Sequence, residues 1–380
     1  MTPNTGLEGV VAARTRLSHV DGERGELIIA GYPLAEIAPN ATFEEVTWLL
    51  WRGERPSLSE LTAFRRELAD RRALSRATLA LIRECADAGI DSMDALRIAA
   101  GSISLESDEA TTILAQLPSI VAAYWRLAND NEPMGPRADL AHAANYLYML
   151  TGEEPDPERS RALETYLITV IDHGLNASTF TCRVICSTGA DLVSAIVGAI
   201  GALKGPLHGG APGPALETVF EIGVAARAEA ILRQKIEAGE RLMGFGHRVY
   251  KVRDPRADVL GAAAERLFTR AGDMSLYRLA RDVEATALRL LEEYKPGRRL
   301  QTNVEFYTAL LLHGLGLDVS LFTPTFAIGR AAGWIGHAFE QRAANRLIRP
   351  ASEYVGPTGL RWTPAPMPTT AVPRRAAAGA

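Results

Sequence analysis

The sequence has few cysteines, and they define no disulfide framework. Only three occur in 380 residues, whereas disulfide-stabilised domains carry paired cysteines at close spacing. Cys182 and Cys186 are four residues apart and would share one face of a helix, but no histidine or further cysteine stands at metal-ligand spacing from them. We therefore expect both to be buried as small apolar residues, and we expect no metal site.

Long apolar runs and an excess of one charge are also missing. The most apolar stretch, Leu192–Leu203, is too short to span a bilayer, and the first residues lack the apolar core of a signal peptide. The net charge is only −4, with 47% hydrophobic and 23% charged residues, so nothing in the overall charge calls for nucleic acid. These absences predict a cytoplasmic protein that binds small molecules and neither nucleic acid nor a membrane.

Strand signals are scarce as well. Only residues 13–32 carry one, with Asp21-Gly22 as the turn of a small hairpin. Almost everything later has helical periodicity, and Thr42 and Ser57 each precede a glutamate by three residues, which is the pattern of a capping box. Pro118 lies inside one of these helices and is expected to kink or break it. The pattern predicts an all-α fold with a small N-terminal β-hairpin.

The stretch richest in chemically active residues is 242–256. Glycines stand on both sides of Phe245 just before His247, so the backbone there can approach a ligand closely. Asp254-Pro255 reads as an N-cap followed by proline at the first position of a helix. Four cations follow His247 within nine residues: Arg248, Lys251, Arg253 and Arg256. This combination favours a small polyanionic ligand, although a glycine turn before a solvated, basic helix start would have the same pattern.

Two further stretches carry related motifs. Residues 204–216 place His208 directly before Gly209-Gly210, and residues 303–307 (Asn-Val-Glu-Phe-Tyr) place Glu305 at the start of an apolar run. Together with the stretch around His247, they resemble the citrate synthase family in motif, order and spacing, over about residues 6–356. The resemblance implies a nearly all-helical fold and condensation of acetyl-CoA with a 2-oxo dicarboxylate such as oxaloacetate. It implies no cofactor, since acetyl-CoA is a substrate.

The implied catalytic residues fit the chemistry of that reaction. Removing a proton from the methyl group of a thioester requires a carboxylate base and hydrogen-bond donors on the oxygens that gain charge. By resemblance, Glu305 is the base, His208 is the donor to the thioester oxygen, and His247 is the donor to the ketone oxygen. A neutral imidazole suits both donor positions.

The resemblance also implies two sets of binding residues. Arginines suit the oxaloacetate carboxylates because their planar forks match carboxylate geometry. The oxaloacetate set consists of His173, Arg256, Arg330 and, from the neighbouring subunit, Arg349. The CoA set consists of Leu242, Met243, Gly244, Phe245 and Gly246, whose backbone would hold the adenine, and Lys251, which would hold a phosphate. Taken singly, a histidine at a helix end is more often a packing residue, and an arginine is more often part of a surface ion pair.

The domain organisation follows from the helix pattern and the resemblance. We expect residues 1–213 and 316–362 to form a large helical domain, residues 214–315 a small helical domain, and residues 363–380 a disordered tail. One helix carries a face of small residues: Ala195, Gly198, Ala199 and Ala202. This face either packs inside one chain or forms the interface of a homodimer, and the resemblance favours the interface.

Two positions depart from the family pattern. Glu305 stands where aspartate is usual, and Pro212 stands where asparagine usually follows His-Gly-Gly-Ala. Both departures resemble an actinobacterial-type citrate synthase paralogue, and a longer base must be set back to reach the same proton. A 2-methylcitrate synthase using propionyl-CoA is an alternative, because one methylene group discriminates by only about 1–3 kcal/mol. A low-activity paralogue that binds CoA or dicarboxylates is another.

Overall fold

The computed structural model describes residues 6–7, 9–104, 108–209 and 212–362. The contacts divide the chain into two compact units, one ending at Leu347 and the other starting at Ile348. The separation of a small domain at residues 214–315 from a large domain stays a prediction. The predicted disorder of residues 363–380 concerns a segment outside the described ranges.

The first unit is mostly helical, as the sequence predicts. Within the described ranges it contains a small sheet and sixteen α-helices. The helices are α1 (Leu34–Ile37), α2 (Phe43–Arg52), α3 (Leu58–Arg71), α4 (Arg76–Asp87), α5 (Ser92–Ala100), α6 (Glu109–Ala128), α7 (His142–Thr151), α8 (Pro157–Thr169), α9 (Ala177–Ser187), α10 (Leu192–Leu203), α11 (Pro212–Ile222), α12 (Ala228–Glu237), α13 (Pro255–Ala271), α14 (Ser275–Tyr294), α15 (Val304–Gly314) and α16 (Phe322–Ala343).

The sheet confirms the predicted hairpin and extends it by one strand. Its strands are β1 (Ser18–Asp21), β2 (Glu26–Ile29) and β3 (Tyr32–Pro33), in the order β1-β2-β3. β1 and β2 are antiparallel, with Ser18 opposite Ile29. The side-chain oxygen Oδ1 of Asp21 accepts hydrogen bonds from the backbone N–H groups of Glu23 and Arg24, both at 3.0 Å, which fixes the turn.

The helix starts follow the caps in the sequence, and one helix continues through a proline. The capping boxes at Thr42 and Ser57 are both formed, and Asp254 caps α13 with Pro255 at its first position. Pro118 does not end a helix, because α6 continues through it. This helix packs against α3, α4, α5, α7 and α16, and that burial compensates for the hydrogen bond that proline removes.

Helix α16 lies at the centre of the core and determines the position of one part of the site. It packs against α2, α6, α8, α9 and α10, and Trp334 is fully buried on it. A Cβ atom at Gly333 would lie 2.1 Å from the carbonyl oxygen of Ile171. Only glycine therefore lets α16 approach the segment that leads to His173.

The predicted small-residue face of α10 packs only partly inside the chain. Ala195 and Ala199 are fully buried, and a Cβ atom at Gly198 would lie 2.1 Å from Cδ1 of Ile185 on α9. Gly198 and Ala202 are half-buried in the single chain, so packing within the chain does not replace the dimer interface, which stays a prediction. Cys182 is buried, as predicted, beside α16 with its Sγ 3.6 Å from the carbonyl oxygen of Trp334.

Two features are absent from the described residues. No helix among them is long and apolar enough to cross a membrane. No group of three or more histidine, cysteine, aspartate and glutamate side chains among them could hold a metal ion.

Candidate active site

The loop before His247 is joined by its backbone to the segment that begins α15. Gly244 and Gly246 have φ angles of 90° and 83°, which glycine adopts without strain. The N–H of Gly246 donates to the carbonyl of Gln301 (2.7 Å), and the N–H of Asn303 donates to the carbonyl of Gly244 (3.0 Å). This pairing holds the His247 loop beside the first turn of α15, which carries Glu305.

The hydrogen bonds of His247 define which of its ring nitrogens carries the proton. Nδ1 accepts from the backbone N–H groups of Val249 and Tyr250, both at 3.0 Å, so the proton of the neutral ring lies on Nε2. Burial, followed by the charge of Arg256, lowers the pKa of His247 to about 4. The ring is therefore a neutral donor at physiological pH.

Arg256 places a second hydrogen-bond donor beside Nε2 of His247. The Nη2 nitrogen of Arg256 lies 3.2 Å from that ring nitrogen. Asp254 orients this guanidinium by accepting from its Nε (3.0 Å) and its Nη2 (2.7 Å). Two proton-bearing nitrogens at this distance cannot satisfy each other, but both can donate to an oxygen bound beside them.

Asp254 connects Arg256 to the neighbouring helix. Its Oδ2 also accepts from the backbone N–H of Val304 at the start of α15 (3.2 Å), and the side chain is fully buried. Sequence reasoning identified Asp254 as a helix cap and missed its pairing with Arg256. Its position two residues before that arginine was the available signal.

His173 lies against the same cluster. Its Nε2 is 3.1 Å from the hydroxyl of Tyr250, and its ring centroid is 5.7 Å from that of His247. Burial, then the charges of Arg256 and Arg330, hold the pKa of His173 well below its usual range. Tyr250 was missed by the sequence analysis, although it lies three residues after His247.

His208 is oriented by the N-terminus of α9. The backbone N–H of Ser178 points at Nε2 of His208 (3.3 Å), and the Ser178 hydroxyl lies 2.8 Å from the same nitrogen. Nε2 is thus an acceptor, and the proton of the neutral ring lies on Nδ1. Burial, followed by the charge of Arg330, lowers the pKa of His208 to about 4. Ser178 was not predicted from the sequence.

The side chain of Glu305 is a half-buried carboxylate that lies near both positive and negative groups. Within the described residues its carboxylate accepts no hydrogen bond, whereas its backbone N–H donates to Oδ1 of Asn303 (3.0 Å). Burial raises the pKa of Glu305 to about 7, because desolvation and the Asp254 charge outweigh the cations Arg256 and Arg330. A carboxylate with this pKa is a proton acceptor suited to neutral pH.

Arg330 is a nearly fully buried cation on α16, with 1% of its surface exposed. Its Nε donates to the carbonyl of Val170, and its guanidinium lies 4.6 Å above the ring of Phe326. Neither terminal nitrogen has a protein acceptor in the described part of the chain. Burial, with repulsion from Arg256, lowers the pKa of Arg330 to about 10. A buried guanidinium with free donors can bind an anion at low desolvation cost.

The remaining predicted residues differ in their exposure. Leu242 and Phe245 are buried, Phe245 beside Phe306 with ring centroids 5.4 Å apart. Lys251 is exposed, with its Nζ 3.5 Å from the carbonyl of Arg248. Arg349 is exposed in the unit that starts at Ile348.

Known proteins match nearly the whole chain. The family described as "Citrate synthase, C-terminal domain" matches residues 6–351. A citrate synthase of Haloferax volcanii is 40% identical over 375 residues, covering 94% of this chain and 97% of that protein. A 2-methylcitrate synthase of Mycobacterium tuberculosis is 39% identical over 365 residues, covering 92% of this chain and 90% of that protein.

A solved structure matches the fold at similar coverage. It is a ternary complex of citrate synthase from Thermoplasma acidophilum with carboxymethyl coenzyme A and oxaloacetate. It superposes with a TM-score of 0.86 at 29% identity, covering 94% of this chain and 97% of that one.

Proposed function

Because the chain belongs to the citrate synthase family, we propose that it is an acyltransferase that condenses acetyl-CoA with oxaloacetate to give citrate and free CoA. The observation that carries this proposal is the pair of donors, His247 Nε2 and Arg256 Nη2, 3.2 Å apart. They suit an acceptor oxygen that becomes more negative during reaction, such as a ketone oxygen under attack. The Thermoplasma protein's ternary complex contains oxaloacetate and a CoA analogue, which agrees with the proposal.

Oxaloacetate would bind before acetyl-CoA, at the part of the site that contains the buried arginines. Its carboxylates would be held by His173, Arg256 and Arg330, and the free donors of buried Arg330 support that role. The ketone oxygen would lie at the two donors. The neutral ring of His247 carries its proton on Nε2, so it can donate this hydrogen bond without first being protonated.

Glu305 would remove a proton from the methyl group of acetyl-CoA while His208 donates from Nδ1 to the thioester oxygen. The acceptor role of Nε2 toward Ser178 supports this assignment. The resulting enolate, stabilised by the His208 hydrogen bond, would attack the ketone carbon and form a carbon–carbon bond. The ketone oxygen would then take up a proton to become a hydroxyl group, which balances the proton removed by Glu305. Water then hydrolyses the citryl thioester, which releases citrate and CoA.

CoA would bind along the His247 loop. The backbone of Leu242, Met243, Gly244, Phe245 and Gly246 would hold the adenine, and the exposed Lys251 would pair with a phosphate. The two left-handed glycines support this role, because they allow the backbone to approach a ligand. The proposed small domain, residues 214–315, would close over oxaloacetate to form the CoA site.

The active form would be a homodimer in which Arg349 completes the site of the neighbouring subunit. Apolar side chains of the unit that starts at Ile348 support this proposal. Tyr354, Val355, Leu360 and Trp362 are 71%, 90%, 80% and 94% exposed in the single chain. Four large apolar side chains exposed within nine positions of the chain are available to be buried in an interface. We further propose that the enzyme acts in the cytoplasm and belongs to the paralogue branch with Glu305 and Pro212.

A second candidate function is 2-methylcitrate synthesis from propionyl-CoA, favoured by the 39% identity to the Mycobacterium tuberculosis protein. Free thiol release should be measured with oxaloacetate and either acetyl-CoA or propionyl-CoA, with Glu305→Gln as the matched control. We expect a higher kcat/KM with acetyl-CoA. A preference for propionyl-CoA would establish the second candidate, and oxaloacetate binding without thiol release from either would identify a low-activity binding paralogue.

A further inference from the structure

The turn between β1 and β2 packs against the loop that follows His247. The carbonyl of Gly22 accepts a hydrogen bond from the backbone N–H of Lys251 (2.8 Å). A Cβ atom at Gly22 would lie 2.3 Å from the carbonyl oxygen of Val249 and 2.9 Å from its carbonyl carbon. These are backbone atoms, so no side-chain rotation could relieve the clash. Glycine at position 22 is therefore a condition of this contact.

A second glycine of the same turn makes a similar approach. Gly25 has a φ angle of +70°, and a Cβ atom there would lie 2.7 Å from Cγ2 of Val252 and 3.1 Å from the carbonyl oxygen of Arg253. The turn itself is fixed by Asp21, whose carbonyl accepts from the N–H of Gly25 (2.9 Å). A rigid turn thus contacts the loop at both ends of the segment 249–253.

The residue that Gly22 contacts also holds His247. Nδ1 of His247 accepts from the N–H groups of Val249 and Tyr250. A shift of Val249 away from Gly22 would therefore alter the orientation of the imidazole and of its Nε2 proton.

The other end of β1 holds the segment of His173. The hydroxyl of Ser18 donates to Oδ2 of Asp172 (2.5 Å) and accepts from the N–H of Gly174 (2.8 Å). Oδ1 of Asp172 accepts from Nε2 of the buried His337 on α16 (3.1 Å). The residues on both sides of His173 are thereby tied to β1 and, through Asp172, to the core.

We infer that β1 and its turn are a positioning element for the two histidines of the oxaloacetate site, with Ser18 orienting His173 and Gly22 orienting His247. The four steps along the chain from Ser18 to Gly22 span about 13 Å of extended chain, so one short strand sets both segments relative to each other. The roles of the histidines rest on the proposed function. Ser18 and Gly22 touch no reacting atom in this scheme and act only through the histidines.

The test compares Gly22→Ala with Gly135→Ala in the full-length protein. Gly135 is an exposed glycine at which a Cβ atom would meet nothing within 4 Å, so it is a matched control. Hydrogen exchange should become faster in peptides covering residues 247–253 in Gly22→Ala and stay unchanged in Gly135→Ala. The kcat/KM for oxaloacetate should fall by about 10²-fold in Gly22→Ala, because a small misplacement of a donor is costly.

A second pair of variants keeps the test informative if Gly22→Ala fails to fold. Ser18→Ala should speed exchange in peptides covering residues 172–176 and raise the dissociation constant of oxaloacetate, whereas Ser18→Thr, which keeps the hydroxyl, should restore both. A general loss of stability would lower the melting temperature without this local pattern.

The inference is overturned if Gly22→Ala and Ser18→Ala leave both local exchange and oxaloacetate kinetics at wild-type values. Absence of thiol release by the wild-type protein would instead contradict the proposed function. The exchange measurements would still decide whether the strand positions the two loops.

Discussion

Asp254 and Arg256 form a buried ion pair that joins the start of α13 to the start of α15. The guanidinium donates twice to the carboxylate, at 3.0 Å and 2.7 Å, and 0% and 4% of the two residues' surfaces are exposed. The carboxylate also accepts from the N–H of Val304. The pair therefore orients the cation and fixes Glu305, one residue further along α15, relative to it.

Removing one charge of this pair should be costly. Asp254→Asn keeps the shape but leaves the Arg256 cation buried without its partner, so the free energy of unfolding should fall by about 3–5 kcal/mol. Urea denaturation would measure this change. Asp130→Asn is a suitable control, because Asp130 is exposed and has a positive φ angle that asparagine tolerates. An equal, small effect of both variants would contradict the structural role of the pair.

The carboxylate of Glu305 should be required for turnover but not for oxaloacetate binding. Glu305→Gln keeps the volume and cannot accept a proton, so kcat should fall by about 10²–10⁴-fold. The kcat of Glu305→Asp should lie between those of the wild type and Glu305→Gln, because the carboxylate is retained but withdrawn by one methylene group. Steady-state kinetics and calorimetry with oxaloacetate would measure the two effects. Robust turnover by Glu305→Gln would remove this residue from the mechanism.

The pH dependence should follow the unusual pKa of Glu305. The base acts in its ionised form, and its pKa is raised to about 7 by burial, so kcat/KM should increase as the pH rises from 6 to 8. His208 and His247 have pKa values lowered to about 4, so both stay neutral over this range and add no further step. A profile of kcat/KM between pH 5 and 9 would test this. A flat profile down to pH 5 would contradict the assignment.

Local features of the fold were predictable because they depend on neighbours in sequence. The capping boxes at Thr42 and Ser57, the N-cap Asp254 and the turn at Asp21-Gly22 each involve residues within four positions of one another. Their hydrogen bonds form as soon as the local backbone does. The sequence left a kink and a break open at Pro118, and α6 continues through it. That choice could not be made from the sequence, because it depends on packing partners that are distant along the chain.

Parts of the site were not predictable for the same reason. Ser178 meets His208 across 30 residues and Tyr250 meets His173 across 77 residues, and no periodicity or motif marks either contact. The three histidines and Glu305 were predicted as site residues because the stretches that contain them resemble citrate synthase motifs, and their catalytic roles stay predictions. The hydrogen bonds that select their tautomers come from the fold.

The last prediction concerns Arg349, which we propose acts in the neighbouring subunit. Arg349→Ala and His247→Ala should each be inactive as homodimers, because every site then lacks one residue. In a mixed dimer, one site would receive an intact Arg349 and an intact His247, and the other site would lack both. Random mixing of equal amounts should therefore recover about a quarter of the wild-type activity. Thiol release after mixing would measure the recovery, with Arg346→Ala, a change at another exposed arginine, as a control that stays active by itself. If subunits exchange, as shown by mass spectrometry of labelled chains, and no activity returns, Arg349 acts within its own subunit or outside the site.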